Sequence, residues 1–385
     1  MHKCSCVRRA LVALGLARLA IWQSLALALA LTVPALPAAA QMDFVHMSGA
    51  GKDIRRTVIA KGIYQFMTMR DSYVRQLNSI VVVNDKDVLV FDTDTRPSTA
   101  RIILSRIRKI TNKPVRFVVN SHGHPDHWSG NEVYAKAFPG LEIISTETTR
   151  QFMHRISPVW APRFEGVLEG QRKAFEAEVR SGKQDDGTAL TPAQRKQDEA
   201  DLHDYATFVA EQKTLHRVYP TLTFGDALTF FHGGREFRFL NVTGDAEGTA
   251  ALYLPKEKVL LTGDAVSYPI PYISNKPSLQ AKSLRMLGQL DVDVIVPGHG
   301  PAFHDKKFLN LELEFIEAVL KGVADALKNG AKTREEVQQT VTVSSLQEKL
   351  AHGDPDLIAR FKSRVRDLAG FAFDEQKVSI LSKKD

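Results

Sequence analysis

Residues 120–127 read Asn-Ser-His-Gly-His-Pro-Asp-His, and this stretch decides how the rest of the chain is interpreted. It follows directly on Val115–Val119, a short apolar run that is typical of a buried strand. Three imidazoles and one carboxylate fall within six residues, namely His122, His124, Asp126 and His127. Imidazole and carboxylate are ligands that zinc and iron favour. The segment therefore predicts a metal site where a strand ends.

Two later segments repeat the pattern of an apolar strand that ends in a candidate ligand. Leu260–Asp264 ends in a carboxylate, and Ile295–Gly300 carries His299 between two glycines. Each segment alone is more typical of a turn or a loop. Because α/β proteins gather their sites at the carboxyl ends of strands, the three segments together predict a single site.

Strand and helix patterns along the chain predict an α/β fold. Strand-like runs lie at 54–68, 73–93, 221–242, 250–254 and 259–262, and segments with helical spacing, for example 98–110, lie between some of them. Two β-rich blocks with a helical segment between them favour two sheets packed face to face, with helices outside. We therefore expect a catalytic domain at 41–305.

Two parts of the chain have a mainly helical pattern. Residues 146–217 are rich in Glu, Lys, Arg, Gln and Ala, and they predict a helical insertion that is broken near 182–192. Residues 306–385 predict a helical C-terminal extension that packs on the catalytic domain as a cap or provides a dimer surface, so a homo-oligomer is an open alternative.

The first forty residues predict a signal peptide, with a retained membrane anchor as the alternative. Four basic residues and no acid lie at 1–40, an apolar run extends from Leu19 to about Leu36, and three alanines precede Gln41. The mature protein is then exported, to the periplasm or the medium, without stable membrane insertion. Both cysteines, Cys4 and Cys6, fall in this segment, which excludes a thiol nucleophile or ligand after cleavage.

Charge argues against a nucleic-acid partner. The whole chain has a formal net charge of +7, and the four basic residues of the leader account for more than half of it. The remainder is too weakly basic to indicate binding to a nucleic acid. A small-molecule substrate is the expected partner.

The three segments together resemble the metallo-β-lactamase superfamily, over roughly residues 60–305. The resemblance rests on the His-x-His-x-Asp-His signature at 122–127, the Gly-Asp pair at 263–264 and the Gly-His-Gly motif at 298–300. It implies an αββα sandwich with a two-metal site at one edge of the sheets. It assigns ligands as follows: His122 and His124 to the first metal, Asp126, His127 and His299 to the second, and Asp264 to both.

One position departs from the family pattern. The third ligand of the first metal is normally a His, and Asp245 stands there in the loop Thr243–Thr249. Because a carboxylate also ligates zinc, we expect Asp245 to be a ligand. Two His and one carboxylate are also the set of non-haem iron sites. Two zinc ions are therefore expected, with iron or manganese as alternatives, and an Asp245 that does not ligate is the other interpretation.

The resemblance implies a hydrolase that uses a hydroxide shared by two cations. Asp126 is the expected catalytic residue, placed to manage the proton. Superfamily members that are true β-lactamases typically carry Cys or Ser where this chain has Asp264, so an ester, thioester, lactone or related bond is the expected target. A true β-lactamase is the alternative. A non-haem iron oxygenase or a non-catalytic metal-binding protein is the alternative from another class.

Three aromatic residues are candidates for substrate contact. Trp128 follows the histidine cluster and is a candidate for the floor of the pocket. Tyr268 and Tyr272 lie in a proline-interrupted loop after Asp264, from which they could reach over the substrate. For all three, ordinary packing is the competing interpretation.

Overall fold

The computed structural model describes residues 54–69, 76–183, 187–246 and 248–381. The predicted signal peptide, residues 1–40, lies outside the described residues, so its cleavage stays a prediction. Within the described ranges, no helix has both the length and the apolar character that crossing a bilayer requires.

Twelve strands and ten helices are present in the described residues. In chain order they are β1 (Ile54–Ala60), β2 (Ile63–Thr68), β3 (Asn78–Val83), β4 (Val88–Phe91), α1 (Pro97–Ile110), β5 (Val115–Val119), α2 (Pro125–Trp128), α3 (Asn131–Ala137), β6 (Glu142–Thr146), α4 (Glu147–Ser181), α5 (Pro192–Lys213), β7 (Leu222–Phe224), β8 (Ala227–His232), β9 (Arg235–Val242), β10 (Thr249–Leu254), β11 (Val259–Gly263), α6 (Pro277–Gly288), β12 (Val294–Pro297), α7 (Lys307–Lys328), α8 (Arg334–Thr340), α9 (Ser344–Ala351) and α10 (Pro355–Leu381).

The strands form two mixed sheets. The first has seven strands in the order β1-β2-β3-β4-β5-β6-β7, antiparallel up to β4 and parallel from β4 to β7. The second has five strands in the order β12-β11-β10-β9-β8, of which only β11 and β12 pair in parallel. Because β9 and β11 are both antiparallel to β10, the strands β9, β11 and β12 run in one direction. Their carboxyl ends therefore lie at one edge of the second sheet.

A shared apolar core joins the inner faces of the two sheets. Leu89 and Phe117 of the first sheet belong to the same buried cluster as Phe239 and Leu252 of the second. Strands β10 and β11 are buried along their whole length because they are covered on both faces. The predicted arrangement of two sheets packed face to face is confirmed.

Helices cover the outer faces of the sheets. Ile103 of α1 packs in a buried cluster with Val118 of the first sheet. Phe315 of α7 packs with Leu260 of the second sheet in a larger cluster, to which the helices α6 to α10 all contribute. The molecule is thus an αββα sandwich, and the predicted helical C-terminal extension supplies part of one outer layer.

The predicted helical insertion is observed as α4 and α5. Residues 162–213 of this segment form a compact unit of their own. Its apolar core includes Leu168, Phe175 and Phe208, which lie on both helices and are buried.

Candidate metal centre

The candidate ligands follow the carboxyl ends of four strands. Residues 122–127 follow β5, Asp245 follows β9, Asp264 follows β11 and His299 follows β12. The backbone joins the loops of the two sheets at this edge, since the Ala250 amide donates a hydrogen bond to the Ser121 carbonyl at 2.6 Å. Strand direction therefore explains how residues far apart in the sequence meet in one place.

His122, His124 and Asp245 form the first group. The Nδ1 atom of His124 lies 3.2 Å from one carboxylate oxygen of Asp245, and the Nε2 atom of His122 lies 3.7 Å from the other. The same His122 atom is 2.9 Å from the His124 Nδ1. The structure thus brings Asp245 beside the two histidines that were predicted to share its metal ion.

Asp126, His127 and His299 form the second group. Asp126 and His127 lie on α2, a single turn that begins at Pro125, a residue suited to the first position of a helix. The Asp126 Oδ2 atom lies 3.2 Å from Nε2 of His127 and 3.3 Å from Nε2 of His299. All three side chains are buried.

Asp264 lies between the two groups. Its Oδ2 atom is 3.9 Å from Nε2 of His122, 3.5 Å from Nε2 of His127 and 3.4 Å from Nε2 of His299. A single carboxylate oxygen is therefore near imidazoles of both groups. This is the arrangement expected of a ligand shared by two metal ions.

Asp92, which the sequence analysis did not single out, orients His127. Its Oδ2 atom accepts hydrogen bonds from Nδ1 of His127 and from the Ser121 hydroxyl, both at 2.8 Å, and its Oδ1 atom accepts one from the Ser121 amide at 2.7 Å. A carboxylate on the far ring nitrogen fixes the tautomer of an imidazole and directs Nε2 inward. The signal was present, because Asp92 directly follows β4 just as Asp264 follows β11.

Glycines allow the strand ends to approach one another. A Cβ atom on Gly298 would collide with the Asp264 carboxylate, and it would lie 3.0 Å from Cε1 of His127. Gly263 adopts a φ of +51°, a left-handed conformation that costs glycine little, and a Cβ there would lie 2.5 Å from that of Ser121. Gly263 of the Gly-Asp pair and Gly298, the first glycine of the Gly-His-Gly motif, are therefore required by the close packing of the site.

The site holds ionised carboxylates against neighbouring imidazoles. Burial disfavours ionisation of Asp126 and Asp264, but the nearby histidines hold the pKa of each carboxyl well below its usual range. Burial likewise opposes protonation of His299, but Asp264 and Asp126 outweigh it and raise its pKa to about 9. Burial and the neighbouring His127 lower the pKa of His122 to about 3. The ionised carboxylates of Asp126 and Asp264 thus favour a positively charged group next to them.

Several buried carboxylate oxygens of the site have no hydrogen-bond partner among the described residues, which bears on whether the site suits a metal ion. In the described part of the chain, Oδ1 atoms of Asp126, Asp245 and Asp264 are buried and have no hydrogen-bond partner. Such atoms are costly unless a further group satisfies them. The ligand atoms within each group lie within 4.8 Å of one another, and the donor set is imidazole and carboxylate. The residues therefore fit metal ions.

The three aromatic candidates differ in their surroundings. Trp128 is buried, and its indole N–H donates to the Gly123 carbonyl at 2.9 Å, so it supports the ligand loop. Tyr268 packs against Phe303 and Phe308. The Tyr272 ring lies against the His299 imidazole, with centroids 5.7 Å apart. Contact of these residues with a substrate stays a prediction.

Two alkylsulfatases are among the known proteins to which this chain is similar. The chain is 29% identical over 250 residues to a linear primary-alkylsulfatase of Pseudomonas sp. (strain ATCC 19151), which covers 62% of this chain and 43% of that protein. A stereoselective inverting sec-alkylsulfatase of Pseudomonas sp. superposes with a TM-score of 0.55 at 16% identity, over 85% of this chain and 51% of the other. The chain thus spans about half the length of these relatives, and the second comparison shows the fold alone.

The chain also resembles one further known structure, and it matches the model of one protein family. A metallo-β-lactamase from Pontibacter korlensis aligns with a TM-score of 0.48 at 17% identity, over 69% of this chain and 99% of that one. The model of the metallo-β-lactamase superfamily matches residues 72–299, more than half of the chain, and this span includes every candidate ligand. The chain therefore belongs to the metallo-β-lactamase superfamily.

Proposed function

We propose that this protein is an exported, metal-dependent hydrolase that cleaves an ester-type bond in a small organic molecule. The observation that carries the proposal is the convergence of four imidazoles and three carboxylates at one sheet edge, with carboxylate oxygens left unpartnered. Carboxylic esters, thioesters, lactones and sulfate esters are the substrate classes to consider. The 29% identity to an alkylsulfatase supports placing sulfate esters among them.

The residues have separate roles in this proposal. His122, His124 and Asp245 would hold one zinc ion, Asp126, His127 and His299 would hold a second, and Asp264 would be shared by both sites. Metal ions bound there supply Lewis-acid chemistry, since they lower the pKa of a coordinated water and stabilise negative charge on the substrate.

The chain itself manages the proton and the ligand geometry. The Oδ1 atom of Asp126 has no hydrogen-bond partner among the described residues, so it is available to accept a proton from the attacking water. Asp92 keeps His127 in the tautomer whose Nε2 faces the centre. Burial of these side chains limits competing water.

Metal analysis of the purified mature protein tests the proposal first. We expect two zinc ions per chain and hydrolysis of at least one member of a panel of carboxylic esters, thioesters, lactones and alkyl sulfates. Turnover of a chromogenic cephalosporin alone would favour a β-lactamase. One iron per chain without hydrolysis would favour an oxygenase or a metal-binding protein.

Asp245→Ala tests the unusual ligand. We expect this variant to retain its fold and to lose about one metal equivalent, because the first group then has two protein ligands of its own. Asp291→Ala, at an exposed acid outside the site, is the matched control and should keep the wild-type metal content. Two equivalents of metal in Asp245→Ala would show that Asp245 is not a ligand.

A further inference from the structure

The C-terminal helix α10 brings positive charge close to the candidate metal centre. The guanidinium carbon of Arg364 lies 5.6 Å from the centroid of the Tyr272 ring. The same ring lies 5.7 Å, between centroids, from the imidazole of His299. Arg360 is one helical turn earlier, and residues four apart in a helix share a face. The Tyr272 ring thus contacts both Arg364 and the candidate ligand His299, and the charge of Arg360 also acts on the Tyr272 phenol.

Packing fixes the orientation of α10. Phe361, Val365 and Leu368 of this helix are buried in the apolar layer outside the second sheet. Near its other end, Glu375 accepts hydrogen bonds from the hydroxyl of Ser278 at 2.5 Å and from its amide at 3.1 Å, at the start of α6. Arg360 and Arg364 each stand one residue before a buried position, so they lie at the border of this layer.

The two arginines have no carboxylate in direct contact within the described part of the chain. Neither guanidinium forms an ion pair in the part of the chain that the structure describes, and the Nε of Arg364 is buried without a hydrogen-bond partner. Asp367 is one turn away, but it accepts a hydrogen bond from Ser363 instead. Like charges four residues apart destabilise a helix. Buried cations are normally paired with carboxylates, and the contact that the structure gives Arg364 is instead the Tyr272 ring.

Electrostatics agree with this geometry. Burial and the like charge of Arg360 lower the pKa of Arg364 from its usual value, while Tyr272 and the acids Asp367 and Asp245 act in the opposite direction. A negatively charged ligand group would relieve the repulsion and would supply a hydrogen-bond partner for the Nε of Arg364. A planar guanidinium is suited to this, because it can donate two parallel hydrogen bonds to the oxygens of one anion.

We infer that Arg360 and Arg364 bind a negatively charged group of the substrate, a carboxylate or a sulfate. This inference deepens the proposed function and rests on it, since the anion is placed beside the site where the ester bond would be cleaved. It predicts that anionic esters are preferred over neutral ones of the same shape.

A matched pair of esters tests the inference kinetically. Mono-4-nitrophenyl succinate carries a free carboxylate, and methyl 4-nitrophenyl succinate is its neutral counterpart. For Arg364→Gln we expect KM for the anionic ester to rise roughly tenfold or more, the size typical of a lost hydrogen bond to a charged group. KM for the neutral ester should stay within about twofold. Arg364→Lys should recover part of the lost affinity for the anionic ester, because lysine restores the positive charge but lacks the planar guanidinium that can donate two parallel hydrogen bonds.

Equilibrium binding tests the same residues without turnover. Hexanoate and hexane-1-sulfonate, titrated calorimetrically into the metal-loaded protein, represent the carboxylate and sulfate classes. We expect Kd for at least one anion to weaken roughly tenfold in Arg364→Gln and in Arg360→Gln. Arg366→Gln, at an exposed arginine on the same helix, is the control and should bind like wild type. Far-ultraviolet circular dichroism checks that each variant is folded. If Arg364→Gln does not fold, the result for Arg360→Gln decides the test.

The outcomes separate this inference from the proposed function. Equal Kd values in wild type and both arginine variants, or no binding of either anion to wild type, overturn the inference. Ester hydrolysis that is insensitive to Arg360 and Arg364 also overturns it and leaves the proposed function intact. Arginine-dependent anion binding in a protein that hydrolyses no carboxylic ester, thioester, lactone or alkyl sulfate of the panel retains the anion site and refutes the proposed function.

Discussion

Asp92 shows how much a single residue outside the ligand set contributes to the centre. Its carboxylate accepts hydrogen bonds from the His127 ring, the Ser121 hydroxyl and the Ser121 amide at once. An asparagine has one acceptor oxygen, and its amide would face the His127 N–H with a donor. The orientation of His127 therefore depends on a carboxylate at this position.

We predict that Asp92→Asn weakens metal binding or lowers activity by about 10- to 100-fold, the range typical of residues that orient metal ligands. Titration with a zinc-specific chelator measures the affinity. Ser121→Ala is the comparison: it removes a neutral hydroxyl that contacts Asp92 and Nδ1 of His122 but leaves the bond from His127 to Asp92, and it should have a smaller effect. Wild-type affinity in Asp92→Asn would contradict the orienting role.

At the same scale, the sequence was informative about residue type and limited about geometry. Counting within the loop predicted that Asp245 replaces an imidazole, and the structure places its oxygens 3.2 Å and 3.7 Å from two histidine nitrogens. Asp92 was missed, although it has the same strand-then-acid signature as Asp264. The reason is physical: an acid that orients a ligand and an acid that caps a turn look alike until their partners are known.

Single elements were predictable where their own residues determine them. Helical spacing at 98–110 corresponds to α1, which begins at Pro97, where a missing amide proton costs nothing, and ends with Arg108 and Lys109 near its negative pole. Strand order was not predictable, because the pairing of β6 with β7 joins segments separated by α4 and α5. The single turn α2 was also missed, since four residues are too few to show a period.

Helix α8 provides a test of local stabilisation. The Thr333 side chain accepts a hydrogen bond from the Glu336 amide, and the Glu336 side chain accepts one from the Thr333 amide. We predict that Thr333→Ala lowers the free energy of unfolding by about 1 kcal/mol, because an amide at the helix start loses its partner. Chemical denaturation measures the change. Thr342→Ala, an exposed threonine between α8 and α9, should be close to neutral, and equal effects of the two variants would argue against the cap.

At the scale of the whole molecule, the outer helical layer contains a buried acid. Glu312 of α7 is fully buried, and it accepts a hydrogen bond from the Ser267 amide at 3.1 Å. Burial, with smaller contributions from Asp264 and Asp245, raises the pKa of this carboxyl well above its usual value. The neutral acid is therefore the form that the fold stabilises. Stability of the sandwich is thus coupled to pH through a residue that is not a candidate ligand.

The sign of this coupling gives a prediction for Glu312→Gln. Because the folded-state pKa is raised, the contribution of Glu312 is fully present below the unfolded-state pKa of about 4.5 and is lost as pH rises through the folded-state pKa. Glutamine resembles the neutral acid, so the variant should match wild type near pH 4.5 and become relatively more stable above it, by up to about 1.4 kcal/mol per pH unit. Denaturant unfolding of both proteins across this range measures the difference. A difference between Glu312→Gln and wild type that stays constant across this range would mean that Glu312 is ionised in the folded protein.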